Sequence, residues 1–138
     1  MSKASTIVIL ALVLVAMCLS PVYAETLKGA IGSSSRWGSG WIDLKPSVDF
    51  QKGEKLKLTI EGSAKKIVIR LLTEGDDPND PVGVLGVFAV PQNRVIEVVL
   101  PENRNRVKQI SVHGKKPWDY DVPANNGPAT LKAVERVR

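Results

Sequence analysis

The sequence predicts an all-β fold: an antiparallel β-sandwich of the jelly-roll type with about eight strands, following an N-terminal signal peptide. Three observations favour it: short segments in which apolar and polar residues alternate, turn-forming Gly, Pro, Asn and Asp between those segments, and the lack of a long amphipathic helical pattern. We expect residues 1–24 to be the signal peptide and residues 25–138 to form a single domain.

The first 24 residues have the pattern of a secretory signal peptide. Lys3 supplies a positive start, residues 7–19 are almost wholly apolar, and residues 22–24 read Val-Tyr-Ala before the predicted cut. The apolar run is shorter than the roughly 20 residues that a membrane-spanning helix needs. We therefore expect cleavage after Ala24, no stable membrane insertion afterwards, and a mature protein in the periplasm or outside the cell.

Cys18 is the only cysteine, so the predicted mature domain contains none. Its stability must come from packing and backbone pairing, and thiolate metal sites and cysteine nucleophiles are excluded. Residues 14–18 resemble a lipoprotein cleavage box, but Met17 is larger than the residue that this box requires. Lipidation or an uncleaved anchor is the alternative to cleavage after Ala24.

The formal net charge of +5 comes from scattered basic side chains. Mixed charge on solvated strand faces accounts for it, and attraction to an anionic glycan is a residual alternative. No nucleic-acid partner is expected, because the exported domain carries no recognised binding motif.

The first strands in chain order are predicted at residues 26–31 and 41–44, and alternation is clearest in the two that follow. Residues 55–61 place apolar side chains on one face and polar ones on the other, as in a half-buried strand. Residues 66–72 are almost continuously apolar, which indicates a more central strand. The Gly62-Ser63 turn between them predicts a hairpin whose two strands face one core.

The remaining strands are predicted from valine-rich or alternating segments separated by short turns. They cover residues 82–90, 94–100, 107–113 and 129–137. In the last segment Leu131, Val134 and Val137 also suit a helical spacing, and we favour a strand.

Three segments follow one another in an order typical of a known family. Residues 50–54 read Phe-Gln-Lys-Gly-Glu before an alternating strand, residues 66–70 read Lys-Ile-Val-Ile-Arg, and residues 94–100 read Arg-Val-Ile-Glu-Val-Val-Leu. With a terminal strand, this order resembles the β-jelly-roll carbohydrate-binding modules with a galactose-binding-like fold, over most of residues 40–137. The resemblance implies a non-catalytic module, often glycan-binding and sometimes carrying a structural calcium ion. No sugar-contacting residue of the family is carried over.

Trp37 and Trp41 flank a Gly-Ser-Gly segment. If residues 37–41 are extended, the two side chains share a face about 13 Å apart, and the small residues between them form a ledge for a sugar chain. Alternatively, the glycines mark a bulge and both rings enter the core. Because apolar Ile42 and Leu44 adjoin Trp41, we expect Trp41 in the core and take Trp37 as the candidate for an exposed ligand surface.

Residues 114–128 form a long connection, and such loops are usually either ordered and functional or disordered. Aromatic rings among prolines favour order. Trp118 and Tyr120 are candidates to stack on a sugar ring, and nearby polar side chains are candidates to hydrogen-bond it: Asp119, Asp121, Asn125 and Asn126. Alternatively, Trp118 plugs an open end of the sandwich and Asn126-Gly127 is only a turn.

Residues 74–80 concentrate oxygen-bearing side chains, and calcium takes roughly six to eight oxygen ligands. Candidate metal ligands are Asp76, Asp77, Asn79 and Asp80. The spacing does not match the helix-loop-helix calcium motif, so a solvated acidic turn is the simpler interpretation. We expect no cofactor, with structural calcium as the alternative.

No pattern predicts catalysis. His113 is the only histidine and lies on the polar face of a predicted strand, where we expect a surface residue. The Gly-x-Ser-x-Gly pattern is absent, and nothing marks a pair of carboxylates at a fixed separation. We therefore expect no enzyme.

The sequence favours an exported, non-catalytic binding module that recognises a carbohydrate or similar small ligand. The ligand-binding candidates are Trp37, Trp118, Asp119, Tyr120, Asn125 and Asn126. The alternative is an envelope or periplasmic interaction or scaffold protein with no small-molecule ligand. In that case an exposed edge strand, or residues 114–128, would meet another envelope protein.

Overall fold

The computed structural model describes residues 23–115, 118 and 120–138. The predicted signal peptide up to residue 22, Cys18 and Asp119 therefore lie outside the described residues. In the described part, no helix is long and apolar enough to cross a membrane. The strands are β1 (Ala24–Thr26), β2 (Ala30–Ser34), β3 (Ser39–Phe50), β4 (Lys55–Glu61), β5 (Lys66–Thr73), β6 (Val84–Ala89), β7 (Val95–Val99), β8 (Arg104–His113) and β9 (Thr130–Val137).

The strands form two antiparallel sheets. One has four strands in the order β1-β9-β4-β7, and the other has five in the order β2-β3-β8-β5-β6. The chain crosses between the sheets at most connections, and only β2-β3 and β5-β6 are hairpins within one sheet. This is the strand order of a jelly roll with β2 added beside β3, so the predicted all-β sandwich is confirmed.

Nine strands are described where about eight were predicted, because the first predicted strand divides. Residues 26–31 contribute to β1 in the four-stranded sheet and to β2 in the five-stranded sheet. Between them Leu27 is buried, and its backbone N–H donates to the carbonyl of Val134 at 2.9 Å. A single buried leucine therefore marks the point where the chain changes sheet.

The last strand explains its own ambiguous spacing. β9 pairs with β4, and the register shifts so that Thr59 is opposite Ala133 while Ile60 is opposite Leu131. This bulge lets Leu131 and Val134, three residues apart, both enter the core. The spacing that resembled a helix is thus a bulged strand.

The predicted hairpin between residues 55–61 and 66–72 is wrong. β4 pairs with β7 and β9, whereas β5 pairs with β6 and β8 in the opposite sheet. The turn is an arch across the core: Gly62 has a φ of 106°, and a Cβ there would lie 2.2 Å from the Pro128 carbonyl oxygen. The same residues signal a turn in either case, so the crossing between the sheets is seen only from the strand pairing.

The core between the sheets is built from aliphatic side chains and one fully buried aromatic ring, Phe50. The predicted inward residues of β4 and β5 do face one core. Its largest fully buried members are Phe50, Leu56, Leu58, Ile60, Ile67, Ile69, Leu71, Leu100, Ile110, Val107 and Val112. The alternate residues of the five-stranded sheet point to its outer face, away from this core.

Candidate functional site

The outer face of the five-stranded sheet carries a row of four residues across four strands. Side chains alternate between faces along a strand, so Trp41 of β3 points away from the core that Ile42 enters. The register aligns the row as Gly32, Trp41, Ser111 and Arg70, on β2, β3, β8 and β5.

The prediction that Trp41 lies in the core is wrong. Ile42 and Leu44 are buried at 2% and 3% exposure, and both lie at odd spacing from Trp41, so the pleat turns its indole to the opposite face. There the ring packs against β2. A Cβ added at Gly32 would lie only 2.6 Å from the indole Nε1, so glycine leaves the room that this position needs.

An open cavity of about 510 Å³ lies over this row. All three tryptophans of the chain, Trp37, Trp41 and Trp118, line it. Trp37 belongs to the turn before β3 and is 63% exposed, so it stands at the rim. The other lining residues are Ser39, Arg70, Pro78, Asn79, Gln109, Ser111, His113 and Lys115.

Trp118 is held in place from several sides. Its indole N–H donates to the Asn79 carbonyl at 3.2 Å. Its ring meets His113 edge-on with centroids 5.4 Å apart, and Tyr120 edge-on at 6.2 Å. Trp118 therefore lies on the outer face against β8 and does not plug an end of the sandwich. Tyr120 supports Trp118 and does not line the cavity.

Arg70 is the most heavily bonded side chain of the site and is only 3% exposed. Its Nε donates to the Val82 carbonyl at 2.8 Å and its Nη1 to the Pro78 carbonyl at 2.8 Å. Its Nη2 donates to the carbonyls of Asp77 at 3.2 Å and Asp80 at 2.8 Å. The guanidinium also lies 5.2 Å from the Trp118 ring centroid, within cation–π range.

These bonds bear on the four candidate calcium ligands. The carbonyls of Asp77 and Asp80 are directed at the Arg70 cation, and the Asp76 carboxylate accepts from the hydroxyl and backbone N–H of Thr73. Asp77 accepts from the Asn79 N–H at 2.9 Å. Among the described residues, no three His, Cys, Asp or Glu side chains are grouped to hold a metal ion. The loop is organised around a guanidinium, and the oxygens named above are already hydrogen-bonded within the protein.

Asn126 serves the fold. Its Oδ1 accepts from the Lys65 N–H at 2.8 Å, and its Nδ2 donates to the Lys66 carbonyl at 2.7 Å and to the Gly114 carbonyl. The amide is thus occupied by the backbone at the ends of β5 and β8, and a ligand contact by Asn126 stays a prediction. Neighbouring Asn125 is exposed and does not line the cavity.

His113 lies inside the site and is more enclosed than the surface position expected from the sequence. Burial, with the Arg70 charge as a smaller cause, lowers the pKa of His113 to about 4. Its Nε2 lies 2.9 Å from the Ser111 Oγ. The imidazole is therefore neutral at pH 7.

A second cavity of about 500 Å³ continues the surface along the strands. It shares Pro78 and Gln109 with the first, and Gln109 donates to the Asp43 carboxylate at 3.0 Å. Charged side chains surround it: Asp43, Lys45, Glu74 and Lys108. The two cavities adjoin at Pro78 and Gln109, and the surface that they cover together is called the groove below.

Sequence reasoning missed Trp41, Arg70, Gln109, Ser111 and Lys115 as site residues. The alternation in β3 and β8 could have indicated two of them. Ser111 lies between the inward-facing Ile110 and Val112, and Trp41 lies next to the inward-facing Ile42, so both side chains must point to the outer face. Arg70 gave no such signal, because nothing in residues 66–72 shows which loop its side chain contacts.

No protein-family model matches the chain, and no curated protein matches it. A solved structure that it resembles is the low-affinity xylan-binding module CBM86 from the gut symbiont Roseburia intestinalis, with a TM-score of 0.47 and 10% sequence identity. The match covers 86% of each chain.

Proposed function

We propose that this protein is an exported, non-catalytic module that binds a glycan in the groove on the outer face of the five-stranded sheet. The observation that carries the proposal is that all three tryptophans line one open cavity, while the core is filled by aliphatic side chains and Phe50. Indole rings kept out of the core and gathered at one surface are typical of a binding site.

The groove combines apolar and polar groups in the way that a sugar requires. Trp37 and Trp41 offer flat apolar rings to the face of a pyranose, and Gln109 and Lys115 bring hydrogen-bonding side chains. The adjoining second cavity gives room for further sugar units along the strands. These features support an oligosaccharide more than a single sugar.

Among the residues that the structure describes, the Ser111-His113 pair is an arrangement that suggests catalysis, and its properties favour a binding site. Ser111 is 2% exposed, so its hydroxyl is poorly accessible to a substrate. A general base works best with a pKa near the working pH, and the pKa of His113 is about 4. The Ser111 hydroxyl and the His113 imidazole therefore hold each other in place beneath the groove.

Titration of the protein with a panel of soluble glycans tests the proposal, with tryptophan fluorescence and calorimetry as readouts. The panel includes xylan, mannan and glucan oligosaccharides, uronate polymers and peptidoglycan fragments. We expect saturable binding to at least one class. Trp37→Ala and Trp41→Ala should each weaken it about tenfold, which corresponds to ~1.4 kcal/mol.

Ile31→Ala is the matched control, because Ile31 is an exposed apolar residue of the same sheet that does not line the cavity. Its affinity should equal that of the unsubstituted protein. Failure of every glycan to bind, together with reproducible capture of one envelope protein, would replace the proposal with the interaction-module alternative.

Export rests on the N-terminal pattern and has its own test. When the full chain is produced in a bacterial host, mass spectrometry of the exported protein should give Glu25 as the first residue. Retention of Lys3 or a lipid on Cys18 would contradict cleavage after Ala24. After cleavage at Ala24, Glu25 and Thr26 would still be able to pair with Arg136 and Glu135 of β9.

A further inference from the structure

We infer that Arg70 is a positioning residue that builds one wall of the groove. Its guanidinium holds residues 77–82 and Trp118 in the arrangement that a ligand contacts. It takes the role that a bound metal ion would otherwise have in such a loop. The effect on ligand affinity rests on the proposed function. The effect of Arg70 on the loop itself does not depend on the proposed function.

The loop converges on this side chain. Carbonyl oxygens of Asp77, Pro78, Asp80 and Val82 all point at one guanidinium, at 2.8 to 3.2 Å. The negative ends of converging carbonyls repel one another, and a cation placed between them offsets that repulsion. Here the cation belongs to β5, which is paired on both sides, by β8 and β6, so the loop is tied to an interior strand of the sheet.

The same guanidinium connects the loop to Trp118. It lies 5.2 Å from the Trp118 ring, and that ring donates through Nε1 to Asn79 within the same loop. Trp118 is thereby attached both to the arginine and to the segment that the arginine holds. Pro78, Asn79 and Trp118, which line the cavity together, form one connected wall.

Lysine cannot replace Arg70 here. A planar guanidinium presents five donors in a fixed fork, whereas an ammonium group is a compact point charge with three donors. Burial lowers the pKa of Arg70, and the charges of Asp76, Asp77 and Asp80 oppose that change. Arginine remains a cation at neutral pH in this setting.

A preformed wall raises affinity, because the ligand does not have to order the loop when it binds. The loop should also be independent of added calcium. Arg70→Lys should therefore release the loop and weaken binding while the core remains folded.

Amide hydrogen exchange on the protein without ligand is the first test. The Asp80 amide donates to the Asp77 carbonyl and the Val82 amide to the Asp80 carbonyl. In Arg70→Lys we expect protection at these two amides to fall at least tenfold, while β8 amides keep theirs. Treatment of the unsubstituted protein with EDTA should leave the loop's protection unchanged.

Arg94→Lys is the matched control. Arg94 also donates to backbone carbonyls of a turn, those of Ala64 and Gly62, but it does not line the cavity. Its substitution should leave the protection of residues 77–82 and the glycan affinity unchanged. For Arg70→Lys, affinity should fall at least tenfold, mainly through faster dissociation.

If Arg70→Lys proves unfolded, an NMR measurement on the unsubstituted protein replaces it. The Arg70 Nε–H should exchange with water at least tenfold more slowly than that of exposed Arg36. Equal exchange rates, unchanged loop protection in Arg70→Lys, or loss of protection with EDTA would overturn the inference. If no glycan binds the unsubstituted protein, only the proposed function fails, since these measurements require no ligand.

Discussion

At the scale of single residues, the neutral state of His113 links the site to stability. In the unfolded chain the imidazole titrates near its ordinary pKa of 6.5, whereas burial lowers the pKa of His113 to about 4 in the folded protein. The folded state therefore binds this proton at a lower pH than the unfolded state does.

The sign of the effect follows from linkage. The contribution of His113 is fully present above about pH 6.5 and is lost as the pH falls toward about 4, at most ~3 kcal/mol. Chemical unfolding measured at pH 7 and pH 4.5 should show a loss that largely disappears in His113→Gln. An equal loss in that variant would assign the pH dependence to other groups.

Gly32 leaves the space that the Trp41 indole occupies beside β2. An added Cβ would lie 2.6 to 2.7 Å from indole atoms of Trp41, so Gly32→Ala should displace the ring. We expect glycan affinity to fall about tenfold, or ~1.4 kcal/mol, with a shift in tryptophan emission. The neighbouring Ser33→Ala serves as the control, and equal affinities for the two variants would contradict this account of Trp41.

At the scale of elements, Asn126 joins the long connection before β9 to the ends of two strands. Its amide bonds reach Lys65, Lys66 and Gly114. Asn126→Ala should leave these backbone groups without their partner and lower the free energy of unfolding by about 2 kcal/mol. Urea denaturation measures this.

The adjacent Asn125→Ala is the control, with an expected change within about 0.5 kcal/mol because Asn125 is exposed. Since neither residue lines the cavity, the affinity of the folded Asn126→Ala protein should be unchanged. A specific loss of affinity in Asn125→Ala would restore that residue as a ligand contact.

The strands were largely predictable from alternation, and their partners were not. Residues 55–61 form the strand that the sequence predicts, and β9 is a strand as favoured. The hairpin expected between β4 and β5 is instead an arch, since Gly and Ser form either kind of turn and distant strands compete for each edge.

At the scale of the whole molecule, a buried ion pair joins the two sheets at one end. Arg136 of β9 contacts the Glu54 carboxylate through Nε at 2.7 Å and Nη2 at 3.0 Å, and Nη2 also donates to the Asp49 carbonyl of β3 at 2.6 Å. The guanidinium lies 4.8 Å from the Phe50 ring. The hydrogen bond from Arg136 is the main cause that lowers the pKa of Glu54 below 4.5.

Glu54→Ala should lower the free energy of unfolding by about 3 kcal/mol, because it leaves the Arg136 charge buried without its partner. Glu97→Ala is the control: the Glu97–Lys55 pair is exposed, and its loss should change stability by less than about 1 kcal/mol. Thermal and urea unfolding measure both. The stabilisation by Glu54 is present above pH 4.5 and is lost as the pH falls through its lowered pKa. Equal losses in the two variants would contradict this role for Glu54.

Local alternation and composition were enough to predict the all-β class, most strand positions and the aliphatic core of β4 and β5. The export signal stays a prediction. Tertiary structure alone decided which strands share a sheet, and therefore that Trp41, Arg70 and Gln109 meet on one face. It also decided that Trp118 joins them. The physical reason is that a strand's pattern sorts its side chains between two faces, whereas the choice of neighbouring strand depends on packing between residues far apart in the chain.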